Sequence, residues 1–529
     1  MFSVKKTALC LAMALNSPFI FAQSFTWTSA GDILTFDIHA QNEGLNQNAN
    51  ESVYEGLVRF NDDMKVEPCL ATSWKRVPEG FLFEIRKNVR FHEGQTLTAD
   101  DVVFSINRAL LPTSQFRANA SGILGAEKKG EYEVLVKTTS GSPVLLNQMT
   151  SLLIMNKNWA AAHNALKPQD YIQKEEAYAA THANGTGPFK LKSREVDIKT
   201  VFVKNPDWWD EKNRTGNLTE VTYVPIKSSA TRTAALLSHE VQFVLDPAMQ
   251  DVKSLQSNKD IKVIQGPEVR VLNVSLDQFR DASPYVFDKN GKPLTKNPFK
   301  DVRVRQAMAL AVNRAGIVRG VMRGFATPTG TIAPRMVAGY NPEAGKVPEY
   351  NIEKAKVLLK EAGYPDGFAF TLDTPNNRWI NDESICKALA SMWARIGLAV
   401  TVNAMPRAQY FPKVLSFDTS AGLVGWGNST FDGLYNLQCL TATFDKTGNG
   451  ISNIGRVSSA EIDDLIRQIK TEEDADKRVS LMQKAYAIER TDMLHIPLHE
   501  QVITWAMSSN VEVTMRPNNR LTLRSVIVK

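Results

Sequence analysis

The period of the apolar residues switches repeatedly along this chain, and that switching restricts the fold more than any other feature. Val304, Met308, Ala311 and Val312 recur at helical spacing. Ala355, Leu358, Leu359 and Ala362 do so again, and Gly363 supplies a C-terminal stop. A turn at Pro365-Asp-Gly367 follows, then a strand through Phe368, Phe370 and Leu372. A third helix sets Ile385, Leu389, Met392, Trp393 and Ile396 on one face, Gly397 closes it, and Leu398–Val402 reads as a strand. The first half shows the same change. Phe81, Phe83 and Ile85 alternate as a strand, and Thr98-Ala-Asp-Asp101 resembles a capping box. The helix it opens turns Val102, Ile106 and Ala109 or Leu110 inward. Helices and strands that alternate in this way bury their apolar faces as layered α/β structure. No internal repeat, low-complexity tract or Gly/Pro/Ser-rich linker separates the units, so interwoven domains are expected.

The first residues have a different character. Lys5 and Lys6 precede an apolar run, Thr7–Leu15, which Asn16, Ser17 and Pro18 break before the small residue Ala22. This is the layout of a secretory signal peptide over residues 1–22. The run is short of the about 20 apolar residues a spanning helix needs. Cys10 sits inside it rather than at its end, so a soluble exported protein without lipid, starting near Gln23, is expected. Loss of Lys5 and Lys6 lowers the net charge from +6 to about +4, too mild an excess for a nucleic-acid binder with clustered Lys and Arg. The Leu145–Met155 stretch is interrupted by Asn147, Gln148, Thr150 and Ser151, so membrane contact would run through a partner. Cys69, Cys386 and Cys439 remain after export; Cys386 paired with Cys439 and three buried free thiols are both open.

Enzyme signatures are missing: the sequence holds no HExxH, GxSxG, GxxxxGK or GxGxxG. Gly185-Thr-Gly187 and Gly425-Trp-Gly427 read as turns. His495 and His499 are four apart, but Pro497 lies between them and Leu494, Ile496 and Leu498 alternate as a strand, against a metal site. Neither a metal nor a cofactor is expected.

Longer motifs then accumulate. Leu70-Ala-Thr-Ser-Trp74, Phe81–Arg86, Val89-Arg-Phe-His-Glu-Gly94 and Leu97-Thr-Ala-Asp-Asp-Val-Val-Phe-Ser105 occur in order. Gly185-Thr-Gly-Pro-Phe-Lys-Leu191, Asn205-Pro-Asp-Trp-Trp209, Asp301–Ala307 with Asn313-Arg314, Ala355–Gly367 and Ile496-Pro-Leu498 follow. This series resembles the family 5 extracellular solute-binding proteins, which include the dipeptide-, oligopeptide- and nickel-binding proteins of bacterial ABC importers. Most of the motifs read as structure rather than ligand contact; Trp208 and Trp209, for example, read as packing.

The resemblance implies a two-lobed periplasmic-binding-protein clamshell of α/β class with an extra small α/β domain. One lobe would take 23–50, 184–268 and 500–529, the small domain 51–183, and the second lobe 269–499. Ligand would lie in the cleft, and closure would follow from its contacts with both lobes. The implied partners are a peptide or related small solute and the inner-membrane permease subunits of an ABC importer. The implied state is a periplasmic monomer without nucleic acid or membrane insertion. A metal chelate, haem, opine-like or sugar-conjugate solute is the alternative.

Peptide-binding relatives hold the ligand amine with an aspartate shortly after a Gly-Trp pair. Here that stretch reads Gly425-Trp-Gly-Asn-Ser-Thr-Phe-Asp432, with Ser429 at the aspartate's place. Either Asp432 takes over from a shifted loop or the ligand lacks a free α-amine. Arg378, in Asn376-Asn-Arg378-Trp379, matches the arginine that dipeptide binders use for the carboxylate, a guanidinium being suited to bidentate capture; a loop arginine at the surface is the other reading. Trp426 and Asn428 complete the candidates in the second lobe. Asn50, Glu51 and Tyr54 lie where the first crossover reaches the small domain, and Tyr410 and Phe411 fit a cleft or a core equally.

Overall fold

The computed structural model describes residues 23–139 and 143–529. The expected signal peptide, with Cys10, lies outside them. Two long antiparallel strands, Ile261–Leu276 and His495–Ser508, run side by side through the molecule and belong to one twelve-stranded sheet. At one end they continue into Phe243–Val244, Gln23–Ser29, Leu218–Pro225, Lys199–Lys204 and Phe189–Glu195. At the other end Ile261–Leu276 pairs with Ala421–Gly427, and Ala369–Pro375 and Ala399–Met405 follow. Their mutual register runs from Ile261 opposite Ser508 to Ser275 opposite His495, and it shifts between Pro267 and Val271. Pro267 has no N–H to give to a ladder. Glu268, Val269 and Arg270 leave the ladder there: the Val269 amide donates to Pro517 O, and Val269 O accepts from the Asn428 amide.

Each end carries its own apolar core. Phe25, Trp27, Phe36, Phe202, Tyr223, Phe243 and Trp505 fill the first, and Met155, Trp159, Ala160, Ala165 and Ala179 pack on it. Val274, Phe299, Met308, Phe370, Leu389, Trp393, Leu423 and Ile496 fill the second. A third core, from Leu57 to Ile154, lies under the four-stranded sheet of Ala71–Val77, Gly80–Ile85, Glu133–Thr138 and Ile123–Gly130. Separate cores joined by few strands leave freedom for relative motion.

The elements read from periodicity are present. Helices Val302–Leu310, Ile352–Glu361 and Asp382–Ala394 bury the expected Val304, Met308, Ala355, Leu359, Ile385, Leu389 and Trp393. At helix Ala99–Ala109, Asp101 reaches back and its Oδ2 accepts the Thr98 amide at 2.9 Å. Gly367 is needed at its turn: it has φ +76°, and a Cβ there would stand 2.1 Å from Gly397 O. The cysteines are settled too. Cys69, Cys386 and Cys439 are buried free thiols, so the Cys386–Cys439 pairing is corrected. No helix among the described residues is long and apolar enough to cross a membrane.

Candidate functional site

A cavity of about 960 Å³, its mouth included, opens beside the break in the two long strands. Its polar wall is Gln41, Asn42, Glu43 and Gln47 from the first lobe, with Glu268, Arg270, Asn518 and Arg520 from the crossing region. Its other wall is mostly apolar: Trp379, Tyr410, Phe411, Val414, Leu415, Trp426, Ile451 and Ile454 from the second lobe.

Local structure explains how the charged groups reach it. Glu43 is the N-cap of helix Gly44–Val53, and its two oxygens accept the Leu45 and Asn46 amides at 3.2 and 3.0 Å. The same carboxylate meets two arginines of the second lobe, Arg378 Nε at 2.6 Å and Arg407 Nη1 at 3.0 Å. Burial acts to raise the Glu43 carboxyl, but these guanidiniums and the two helix amides outweigh it and hold it at about 2. Asp382 fixes the other side. Its Oδ2 accepts the amides of Arg378 and Trp379, each at 3.0 Å, and so sets both side chains at the head of helix Asp382–Ala394. Arg270, opposite Gly427 but skipped in the register with the other long strand, binds Glu268 Oε1 through Nε at 2.7 Å and Gly425 O through Nη1 at 3.0 Å. Glu268 Oε2 accepts Gln501 Nε2 at 2.6 Å.

Two glycines make the room. Gly425 and Gly427 do not form the expected turn; they end strand Ala421–Gly427. A Cβ on Gly425 would lie 2.6 Å from the Trp379 indole, and one on Gly427 would lie 2.9 Å from the Arg270 guanidinium. Both are glycine because large side chains lie flat on the strand.

Of the residues singled out in the sequence, Arg378, Trp426, Asn428 and Ser429 line this cavity together. Arg378 is a loop residue, but it is mostly covered and ion-paired rather than free at the surface. The Trp426 ring packs 5.5 Å from that of Tyr435. Asn428 holds its loop: Oδ1 accepts from Thr430, and Nδ2 donates to Asp432 O and Asn436 Oδ1. Ser429 Oγ accepts from Asn119 Nδ2 at 3.4 Å. Asp432 is not part of the lining. Arg478 grips both its oxygens, with Nη2–Oδ1 at 2.8 Å, and the same carboxylate caps the next helix through the Leu434 amide. Its suggested role as an amine anchor is therefore corrected, since the carboxylate is neutralised by Arg478 and lies outside the cavity lining.

Glu51 and Tyr54 lie apart, lining a second cavity under the small domain; Glu51 is paired with Arg520, and the Tyr54 hydroxyl accepts the Asn184 amide at 3.3 Å. Asn50 is buried in the helix that Glu43 caps, and Tyr410 and Phe411 line the first cavity. Trp208 and Trp209 are packing residues whose indoles donate to the buried Glu55. Glu43, Glu268, Arg270, Trp379 and Arg407 went unread in the sequence. One signal was available: Glu268 and Arg270 flank Val269 just before the apolar Val271-Leu272, where an unpaired charge is costly.

Residues 65–448, nearly three quarters of the chain, match the family model of the bacterial extracellular solute-binding proteins, family 5. The chain belongs to that family. Among curated relatives it is 27% identical to heme-binding protein A of Haemophilus influenzae, over 90% of this chain and 87% of that protein. It is 25% identical to the glutathione-binding protein GsiB of Escherichia coli, over 95% of this chain and 94% of that protein. Among solved structures, the periplasmic binding protein DppA of Helicobacter pylori in complex with peptide STSA superposes with a TM-score of 0.83 at 24% identity. That match covers 96% of this chain and 98% of DppA. The binding protein AgaA in complex with agropinic acid gives a TM-score of 0.82 at 23% identity, over 96% and 99%. The fold is thus the α/β periplasmic-binding-protein fold that the motifs implied. As a member of family 5, this chain is a solute-binding protein.

Proposed function

We propose that this protein captures a peptide or related small solute in the cavity between Glu43 and Trp426, by closing two lobes over it. It then delivers the solute to permease subunits in the inner membrane. The observation that carries the reading is the Glu43 carboxylate bound to Arg378 and Arg407, because these pairs join first-lobe and second-lobe residues around an enclosed space. Arg378 is the residue for a ligand carboxylate, and Trp379 and Trp426 offer faces for an apolar group. The lobes are 23–50 with 184–268 and 500–529, and 269–499, with 51–183 as the added domain. The separate core from Leu57 to Ile154 supports the added domain, and Met155, Trp159, Ala160, Ala165 and Ala179 pack back on the core of the first lobe. The protein acts as a periplasmic monomer, released by cleavage near Gln23, and does no catalysis. A non-peptide solute is the second reading, favoured by Ser429 in place of an acid and by the commitment of Asp432 to Arg478.

Native mass spectrometry of protein purified from the periplasm, full chain expressed, tests this. The expected result is a mature mass starting near Gln23 and a retained small solute. Re-adding that solute to stripped protein should lower the radius of gyration in small-angle scattering. An unchanged radius with the solute bound would sink the closure mechanism, and retention of residues 1–22 would sink the localisation.

A further inference from the structure

The cavity lining is lopsided in hydrogen-bonding terms. Arg520 Nε and the indole nitrogens of Trp379 and Trp426 are buried and lack an acceptor among the described residues, while Arg378 spends only its Nε on Glu43. The amide nitrogen of Gln41 is a fourth. No side-chain oxygen of a lining residue is left in that condition. Arginine and indole nitrogens donate and never accept, so no amide flip or tautomer reverses the imbalance.

The carboxylates nearby are already divided. Glu43 serves Arg378, Arg407 and two helix amides, and Glu268 serves Arg270 and Gln501. Glu51 is held by Arg520, and Asp432 by Arg478. An incoming ammonium would find no free acid. Three guanidiniums, Arg270, Arg378 and Arg407, share two carboxylates. Burial brings Arg378 down to about 10, and although Glu43 opposes this, Arg270 and Arg407 add to it, as expected of under-compensated positive charge. The facing wall of Tyr410, Phe411 and Leu415 is apolar.

We propose that the solute is an organic anion, with a carboxylate or like acceptor group for Arg378, Trp379 and Arg520, an apolar group for the Tyr410–Leu415 wall, and no ammonium on which binding depends. The inference rests on the reading of this cavity as the solute site. It goes further in excluding recognition through a free amine, the group that a zwitterionic peptide would present.

Calorimetry on stripped full-length mature protein can separate the terms with four forms each of Leu-Phe, Phe-Ala and Leu-Leu: free, N-acetylated, C-amidated and doubly blocked. The N-acetylated acids should bind as well as the free peptides, within about threefold, or more tightly. Amidation should weaken binding by about tenfold or more whether or not the amine is blocked, as for loss of a buried charge-assisted contact. Acetylation that costs tenfold, amides that bind as well as acids, or no response to any acid overturns the proposal. Gly425→Leu and the milder Leu415→Trp narrow the cavity, each checked for an unchanged melting profile. An anion that both variants bind like wild type would refute the cavity reading alone. An amine-dependent ligand that both variants lose would leave the cavity standing and refute the anion class.

Discussion

Glu43 does two tasks with one carboxylate, capping a helix in the first lobe and holding two guanidiniums of the second. Parted from the two guanidiniums, its carboxyl would rise from about 2 towards the ordinary 4.5. A depressed carboxyl gives stabilisation that is fully present above about 4.5 and lost as the pH falls towards 2. The part of that shift that Arg378 and Arg407 supply favours closure at neutral pH, while the Leu45 and Asn46 amides stay on Glu43 in either form. Glu43→Gln keeps an oxygen for the helix amides and removes the charge. The difference between wild type and Glu43→Gln in radius of gyration, measured from pH 7 to pH 3, should shrink as the wild type opens below about pH 4.5. A constant difference across that window would mean that the pair does not govern closure. Because Arg378 and Arg407 would lose their shared acid, the variant should also be the more open form at pH 7.

At the scale of elements, legibility follows from where the determining contacts lie. Helix Asp382–Ala394 and strand Ala369–Pro375 were readable because Ile385, Leu389 and Trp393, or Phe370 and Leu372, set their period within a few residues. Gly425 and Gly427 were misread because a strand glycine and a turn glycine look alike until Trp379 and Arg270 arrive from distant segments. Arg378 was located through a family pattern, but its partner Glu43 is far away in sequence and no local spacing announces it. Glu268 and Arg270 could have been found as charges just before the apolar Val271-Leu272. Their element, the Pro267–Arg270 break in the long strand, yields its own prediction. Glu268→Ala removes the carboxylate that holds Arg270 Nε and Gln501 Nε2, leaving the guanidinium only Gly425 O. Breaking such a buried pair costs about 3–5 kcal/mol, so the denaturant midpoint should fall clearly, while Glu268→Gln, which keeps an acceptor, should cost less. Equal midpoints for Glu268→Ala and wild type would show that this segment is not held by its charges.

For the whole molecule, the question is what keeps two lobes together when no solute bridges them. The contacts across the cleft are mainly polar. Tyr435 Oη accepts from Asn42 Nδ2 at 3.0 Å and donates to Asn119 Oδ1 at 3.2 Å, Asn119 Nδ2 reaches Ser429, and Asn147 Nδ2 donates to Thr430 O at 3.0 Å. Phe60 meets Phe431 edge-on at 5.7 Å, a single aromatic contact beside them. Opening exchanges each hydrogen bond for one with water, so each contributes only about 0.5–1.5 kcal/mol. Such a clasp leaves open and closed forms within reach of one another, and a solute that touches both walls tips the balance. Tyr435→Phe removes two of these bonds and leaves the ring against Trp426. Losing about 1–3 kcal/mol of closure should weaken solute binding by about 5- to 150-fold. The loss should come through the conformational equilibrium, so the closed, solute-saturated form should scatter as wild type does. The free variant should have the larger radius of gyration. If free Tyr435→Phe is as compact as wild type and binds as tightly, the hydroxyl clasp is incidental, and closure depends on the Glu43 pairs and the solute alone.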